Sequence, residues 1–131
     1  MTIPLFHNFS SAPAHVAPFS HAVEIDGWIQ LTGQMPTDPE DDTKPLPDGI
    51  KAQTTRVMEN LTIILNELQL NMKNILSTRV FLTNFTRDYE LMNIVYKSYF
   101  ANDKLPARTC VGVTDLALGA LVEIDMVAKR F

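Results

Sequence analysis

The sequence is poor in the features that mark secreted and membrane proteins. It has a single cysteine, Cys110, among 131 residues, so no intramolecular disulfide can form and nothing points to an oxidising compartment. Its apolar runs stay short of the ~18–20 residues that a membrane helix needs. Pro4, His7 and Asn8 interrupt the first apolar stretch, which therefore does not resemble a signal peptide. We expect a cytoplasmic protein, or an organelle matrix protein without its presequence, and no membrane partner.

Positive charge is scarce as well. The chain has 11 Lys and Arg residues against 15 Asp and Glu residues, a formal net charge of -4, which gives no general attraction to nucleic acid. An RNA-binding surface needs basic and aromatic residues interleaved on one face. Only Arg79 and Arg87 come near that pattern, so a nucleic-acid partner is disfavoured.

Acidic residues cluster at Asp38, Glu40, Asp41 and Asp42. Clustered carboxylates can bind calcium, but these do not have the spacing of an EF-hand loop. The surrounding segment is rich in proline, so we predict a solvated loop there and expect no metal.

What the sequence does contain is the composition of an ordinary globular protein. Hydrophobic residues make up 46% and charged residues 20% of the chain, which is typical of a packed domain. A chain of this length can bury roughly two thirds of the surface that its unfolded form exposes. We therefore expect one domain that spans residues 1–131.

Hydrophobic periodicity predicts strands and helices after an extended N-terminal arm, in which Pro4, Pro13 and Pro18 disfavour a helix. Asp26 and Gly27 supply the positive φ values of a type I′ turn and so predict a hairpin. We expect strands at residues 21–25, 28–34, 76–85, 107–113 and 121–128, and helices at residues 50–69 and 89–100.

Local signals suggest where the helices begin and end. Asp48 is a plausible N-cap of the first helix and Asn71 a plausible stop, while Thr86 or Asp88 would cap the second. The buried stripe of the second helix contains an amide, Asn93. A buried amide needs partners, so Asn93 either bonds nearby backbone or faces a polar cleft.

This element order predicts an α+β fold with a single sheet and both helices on one face. Two helices cover only one side of a sheet. The opposite face, with Leu31, Cys110, Leu121 and Val127 as candidates, would expose apolar surface in a monomer. Oligomerisation with cyclic symmetry is the simplest way to cover it.

The last two strands carry ionisable residues at their centres. Strict alternation places Arg108, Cys110 and Gly112 on one face of their strand, and Glu123 and Asp125 on one face of the next. Charges removed from water need partners. Two interpretations stay open: a structural ion pair between neighbouring strands, or a pocket in which Arg108 receives a ligand carboxylate.

Several motifs together resemble the Rid family of reactive-intermediate imine deaminases, also called YjgF-like proteins. The resemblance covers residues 18–129. It is carried, in family order, by Ala17-Pro18-Phe19-Ser20, Thr32-Gly33-Gln34-Met35-Pro36, Ile50-Lys51-Ala52-Gln53-Thr54, Val80-Phe81-Leu82-Thr83, Asn93 before Tyr96, Pro106-Ala107-Arg108 and Val122-Glu123-Ile124. It implies a chorismate-mutase-like homotrimer with a ligand cleft at each subunit interface.

The resemblance also implies a chemistry. Rid proteins hydrolyse enamines and imines such as 2-aminoacrylate to 2-oxo acids and ammonia, and no cofactor is required. Carried over by motif, Arg108 would hold the substrate carboxylate and Glu123 would orient or activate the attacking water. The remaining cleft residues would be Phe19, Thr32, Gly33, Asn93 and Cys110.

Phe19 departs from the family's commonest pattern, which has tyrosine at that position. Its ring would either line the cleft or anchor the subunit interface. Cys110 is not expected to be a nucleophile, because no histidine is tied to it by motif. Two other functions compete with deamination: a non-catalytic small-acid-binding or regulatory protein that uses the same pocket, and an endoribonuclease or translation inhibitor.

Overall fold

The computed structural model describes residues 3–131. Two α-helices and six β-strands follow one another in this part of the chain. They are β1 Leu5–His7, β2 Ala22–Ile25, β3 Trp28–Gln34, α1 Ile50–Glu67, β4 Ile75–Leu82, α2 Phe85–Lys97, β5 Ala107–Gly112 and β6 Val122–Lys129. Short 3-10 turns lie at Met72–Asn74 and Ala117–Gly119.

The strands form one mixed sheet in the order β1-β2-β3-β6-β4-β5. Only β4 and β5 run parallel, and α2 connects them. The β2–β3 hairpin is confirmed: Asp26 and Gly27 have φ values of 54° and 78°, as its two-residue turn requires. The predicted N-terminal arm contains one strand that the sequence did not reveal, β1, which adds to the edge of the sheet.

Alternate residues of the central strands point toward the helices and are wholly buried, among them Leu31 of β3, Val80 of β4 and Ile124 of β6. Helix α1 packs against β3 and β6, and α2 packs against β4 and α1. Each large apolar side chain buried there is worth about 1.5–3 kcal/mol. The predicted α+β fold, with both helices on one face of the sheet, is confirmed.

The opposite, open face of the sheet differs from its prediction. Leu31 lies on the helix side, with no exposed surface, and Cys110 lies there too, because its ladder partner is the buried Val80. Both assignments were therefore wrong. The open face instead exposes Ile25, Trp28 and Val111, each by 40% or more.

The ends of the helices also differ from the predicted caps. Gly49, with a φ of 87° and no side-chain cap, takes the N-cap position of α1 in place of Asp48. Helix α2 begins earlier than predicted because the side chain of Asn84 accepts a hydrogen bond from the Arg87 backbone N–H. Asp88 is instead buried in an ion pair with Arg87, at 2.8 Å. Asn71 caps the 3-10 turn after α1.

Two of the four carboxylates of the acidic loop, those of Asp38 and Asp41, bond within the loop. Asp38 accepts backbone hydrogen bonds from Glu40 and Asp41 and lies 3.4 Å from the Lys44 Nζ. No group of three or more side chains suited to hold a metal ion occurs between residues 3 and 131. Over the same residues, no helix is both long and apolar enough to cross a bilayer.

Candidate functional site

Arg108 lies near the start of β5, on the helix side of the sheet, opposite Thr78 of β4. Its Nη1 donates to the Asn93 Oδ1 at 2.7 Å and its Nη2 to the Tyr89 hydroxyl at 3.3 Å. The guanidinium carbon lies 5.0 Å from the centre of the Tyr96 ring. No carboxylate pairs with Arg108 within residues 3–131. The structural ion-pair interpretation therefore fails for this arginine.

A cavity of about 290 Å³ opens beside the guanidinium. Its lining consists of Asn93, Tyr96, Lys97, Leu105, Pro106 and Arg108. Two of these side chains are cationic and none is anionic, so the field in the cavity favours a small anion. Arginine is well suited to a carboxylate because its planar donors match both oxygens.

The side chains that contact the Arg108 guanidinium all come from one side of helix α2. Tyr89, Asn93 and Tyr96 follow the spacing i, i+4, i+7, which aligns side chains along a helix. The Tyr96 hydroxyl lies 2.8 Å from the Thr78 hydroxyl in the interior, and the Tyr89 ring stacks on Phe85 at 4.6 Å. The sequence placed both tyrosines in the buried stripe and missed their contact with Arg108. Asn93, a polar residue within that stripe, was the available signal, and it does face a polar cleft.

Glu123 lies on the open face of the sheet, opposite Phe81 of β4. Its side chain covers Gly33 so closely that a Cβ there would overlap the carboxylate and approach the Glu123 Cδ to 3.1 Å. Glycine at this strand position thus allows the carboxylate to approach the backbone. Glu123 has no hydrogen-bond or ion-pair partner in the part of the chain that the structure describes.

Two charged neighbours shape the electrostatics of Glu123. Arg79 holds Asp125 with both Nε and Nη2, and the shortest contact is 2.6 Å. This ion pair joins the neighbouring strands β4 and β6. Burial raises the pKa of Glu123, and the negative charge of Asp125 raises it further, while Arg79 opposes them. A carboxyl whose pKa is raised toward neutrality is suited to exchange protons with water.

The other predicted site residues lie near one or the other of these charges. Thr32 donates its hydroxyl hydrogen to the Ser20 carbonyl, which ties the residue after Phe19 to the strand irregularity beside Gly33. Cys110 follows Arg108 on the same side of β5, and burial raises the pKa of its thiol. A protonated thiol is a poor nucleophile.

The structure thus divides the predicted site into two groups. The Arg108 half-site, on the helix side, comprises Tyr89, Asn93, Tyr96, Arg108 and Cys110. The Glu123 half-site, on the open side, comprises Gly33, Arg79, Glu123 and Asp125. Thr32 is next to Gly33 in the chain, and Phe19 is linked to it only through the Ser20 carbonyl that Thr32 bonds. The sheet separates the two principal charges within one copy of the chain, since residues on opposite faces point apart.

Comparison with known proteins agrees with this architecture. The family model described as Endoribonuclease L-PSP matches residues 9–130. A RutC family protein of Aquifex aeolicus is 39% identical over 120 residues, which cover 91% of this chain and 94% of that one. The mouse 2-iminobutanoate/2-iminopropanoate deaminase is 34% identical over 121 residues, covering 92% and 87%. The crystal structure of RidA from an Antarctic Psychrobacter superimposes with a TM-score of 0.88 at 30% identity, covering 96% and 99%.

The chain belongs to the Rid family, whose model carries the name endoribonuclease L-PSP. The resemblance seen in the sequence motifs is therefore confirmed, and so is the α+β fold that it implied. In this Rid chain the two charged residues of the last two motifs, Arg108 and Glu123, lie on opposite faces of one sheet.

Proposed function

We propose that this protein hydrolyses 2-imino acids and their enamine tautomers to 2-oxo acids and ammonia. The observation that carries the proposal is a guanidinium, Arg108, that has no carboxylate partner within residues 3–131 and borders a small cationic cavity. The name of the mouse relative, an imine deaminase, supports the same reaction class. An enamine such as 2-aminoacrylate becomes the imine by gaining a proton at carbon and losing one from nitrogen.

In the proposed reaction Arg108 binds the substrate carboxylate through parallel N–H bonds. The Glu123 carboxylate takes a proton from water as the water oxygen bonds to C2 of the imine, and the electron pair of the C=N bond moves to nitrogen. Glu123 returns the proton to that nitrogen. The product of this step is a carbinolamine, with a hydroxyl and an NH2 group on C2. Glu123 then takes the hydroxyl proton and passes it to the nitrogen, so that the C–N bond breaks, ammonia leaves, and C2 becomes a carbonyl. One water is consumed and no electron acceptor is needed, so positioning and one acid/base group suffice.

The two half-sites meet only if a second copy contributes. We propose a cyclic homotrimer in which the Arg108 half-site of one copy faces the Glu123 half-site of the next. The exposed apolar residues of the open face, Ile25, Trp28 and Val111, favour assembly through that side of the sheet. Sedimentation equilibrium tests the assembly, and a monomer at micromolar concentration would remove the shared site.

Mixed trimers test the shared site directly. Arg108→Ala and Glu123→Gln chains with different affinity tags are co-expressed, and trimers containing both are purified over two columns. Whichever variant is present twice, one interface in three joins an intact Arg108 to an intact Glu123, so we expect about one third of wild-type 2-oxo acid release. Each variant alone is expected to be nearly inactive. Inactive mixed trimers, with wild-type chains active, would place both residues in one copy's site or in none.

A second candidate is a non-catalytic small-acid-binding or regulatory protein. The Arg108 cavity favours it, since that cavity lies within one copy and needs no Glu123 to attract an anion. The two functions separate when the protein is added to a pyridoxal-phosphate lyase that generates 2-aminoacrylate. Faster 2-oxo acid release than spontaneous hydrolysis supports the deaminase, whereas 2-oxo acid binding without acceleration, over several imino acids, supports the binder.

Ribonuclease activity has less support from the side chains. Arg79 and Arg87, the two residues that came nearest to an RNA-binding pattern, are paired with Asp125 and Asp88. Neutralised arginines contribute little counterion release on binding phosphates. Small imino and 2-oxo acids are therefore the partners we propose, in a cytoplasmic setting where the free Cys110 thiol stays reduced.

A further inference from the structure

The Arg108 guanidinium is held on three sides by α2. Asn93 accepts from Nη1 at 2.7 Å and Tyr89 accepts from Nη2 at 3.3 Å. The guanidinium carbon lies over the Tyr96 ring, 5.0 Å from its centre, and is 5.8 Å from the centre of the Tyr89 ring. Arginine has five N–H donors, and two are used here. The remaining three, including the Nε–H, are free of partners within residues 3–131. The direction in which they point depends on how the plane of the guanidinium is fixed.

Tyr96 is the most firmly anchored of these three side chains. It is 5% exposed, its hydroxyl lies 2.8 Å from that of Thr78, and its ring contacts Phe100 at 5.0 Å. Thr78 is the ladder partner of Arg108. The same rung of the sheet thus supplies both the arginine and the hydroxyl that fixes the ring beneath it.

We infer that Tyr96 is a positioning residue, whose ring sets the plane of the Arg108 guanidinium and so selects planar carboxylate ligands. The inference rests on the proposed function, because it assigns Tyr96 a part in that same site. A cation over an aromatic face gains roughly 0.5–2 kcal/mol, depending on desolvation. The Tyr96 hydroxyl bonds Thr78 and makes no hydrogen bond to Arg108 within residues 3–131.

The test compares two double variants that differ only in the ring. Thr78→Val with Tyr96→Phe removes both hydroxyls and keeps the ring, so no buried hydroxyl is left without a partner. Thr78→Val with Tyr96→Leu removes the ring as well. Tyr99→Phe is the control, because the Tyr99 hydroxyl bonds Glu59 and lies away from Arg108. If the leucine variant does not fold, Tyr96→Met with the same Thr78→Val replaces it.

Two readouts are followed for each trimer: the NMR signal of the Arg108 Nε–H, assigned by its loss in Arg108→Lys, and the Kd for 2-oxobutanoate. We expect the leucine variant to lose the ring-current shift of that signal and to bind 2-oxobutanoate about 3- to 30-fold more weakly than the phenylalanine variant. Tyr99→Phe should match the wild type in both.

The outcomes separate the alternatives. An unchanged Arg108 signal in the leucine variant overturns the inference, whether or not the Kd changes, because Tyr96 would then be a core residue or a direct ligand contact. A changed signal with an unchanged Kd overturns the claim of carboxylate selection. Failure of the wild-type chain to bind any 2-oxo acid would instead refute the proposed function, and the NMR signal would still decide whether Tyr96 positions Arg108.

Discussion

The Arg108 and Glu123 half-sites hold opposite charges by different means. Arg108 is surrounded by side chains of a helix, which bind its donors and support its plane. Glu123 is held by close approach to the Gly33 backbone, and burial works against its charge. The Arg108 half-site carries a positive charge and contains no carboxylate. The Glu123 half-site carries a carboxyl group whose raised pKa disfavours its charged form. Neither group has an oppositely charged partner within residues 3–131, and we expect a ligand or another copy of the chain to supply it.

Replacing the two arginines of the sheet should give the largest contrast. Arg108→Ala is expected to reduce kcat/KM by about 30- to 5,000-fold or more, since losing one side of a desolvated charge pair costs about 2–5 kcal/mol or more, with the fold and trimer intact. Arg79→Ala should instead cost stability, because it leaves the buried Asp125 unpaired. Arg79 itself is 64% exposed, so we expect only about 1–3 kcal/mol. Turnover assays and urea unfolding measure both, and unfolding of Arg108→Ala would contradict the assignment.

Glu123→Gln should lower turnover about 100- to 10,000-fold while changing the Kd for a 2-oxo acid product much less. The amide keeps the shape of the side chain but cannot exchange a proton. Arg108 still holds the carboxylate in this variant, so binding survives. Single-turnover kinetics and calorimetry provide the two values. Unchanged turnover would leave Glu123 with a structural role only.

The same substitution should change how stability depends on pH. Burial, with help from Asp125, raises the Glu123 pKa above its ordinary value, so the fold favours the protonated form. Its contribution to stability is then fully present below the unfolded pKa and is lost as the pH rises through the folded pKa. Glutamine stays neutral throughout. The Tm of Glu123→Gln relative to wild type should therefore rise as the pH increases from the unfolded pKa through the raised folded pKa, and a constant difference would argue against the raised pKa.

Gly33→Ala tests whether the close contact between the Glu123 side chain and the Gly33 backbone positions the carboxylate. The added Cβ would overlap the carboxylate, so the side chain must move away. A displacement near 1 Å can cost about 100-fold in rate, and we expect a loss of about 10- to 100-fold in kcat. Binding of 2-oxo acid should change less than kcat, because Arg108 still holds the carboxylate. A loss of affinity larger than the loss of kcat would contradict this division.

The sequence predicted which charged residues share a strand face, but not on which side of the sheet each half-site lies. Alternation along single strands correctly placed Arg108 with Cys110 and Glu123 with Asp125, because the strand period is local. It could not say which side of each strand meets the helices. That depends on the parallel register of β4 with β5 and the antiparallel register of β4 with β6, which are long-range. Leu31 was placed on the wrong face of the sheet for the same reason.

Local signals failed where several candidates competed. Asn84, Thr86 and Asp88 are all good N-cap residues within five positions, and propensity alone cannot rank them. The structure uses Asn84 as the cap and leaves Asp88 to pair with Arg87. Strand β1 has three residues, too few to show a period. The prediction that Tyr89 and Tyr96 belong to the buried stripe of α2 is confirmed, but helix periodicity does not reveal that their rings also lie close to the Arg108 guanidinium.

The smallest expected effect concerns Phe19, whose ring is half-buried and lies 5.3 Å from that of His15. The neighbouring Ser20 carbonyl is bound by Thr32, which precedes Gly33. We expect a hydroxyl added at Phe19 to reach the cleft, as the tyrosine of the family's commonest pattern would. A site that gains a donor favours substrates able to use it. We expect Phe19→Tyr to shift preference by about 3- to 10-fold toward imines of the serine type and away from those derived from alanine, leucine or methionine. Competition assays with these four precursors measure the ranking. An unchanged ranking together with altered trimer stability would assign Phe19 to the subunit interface, where aromatic anchors are common.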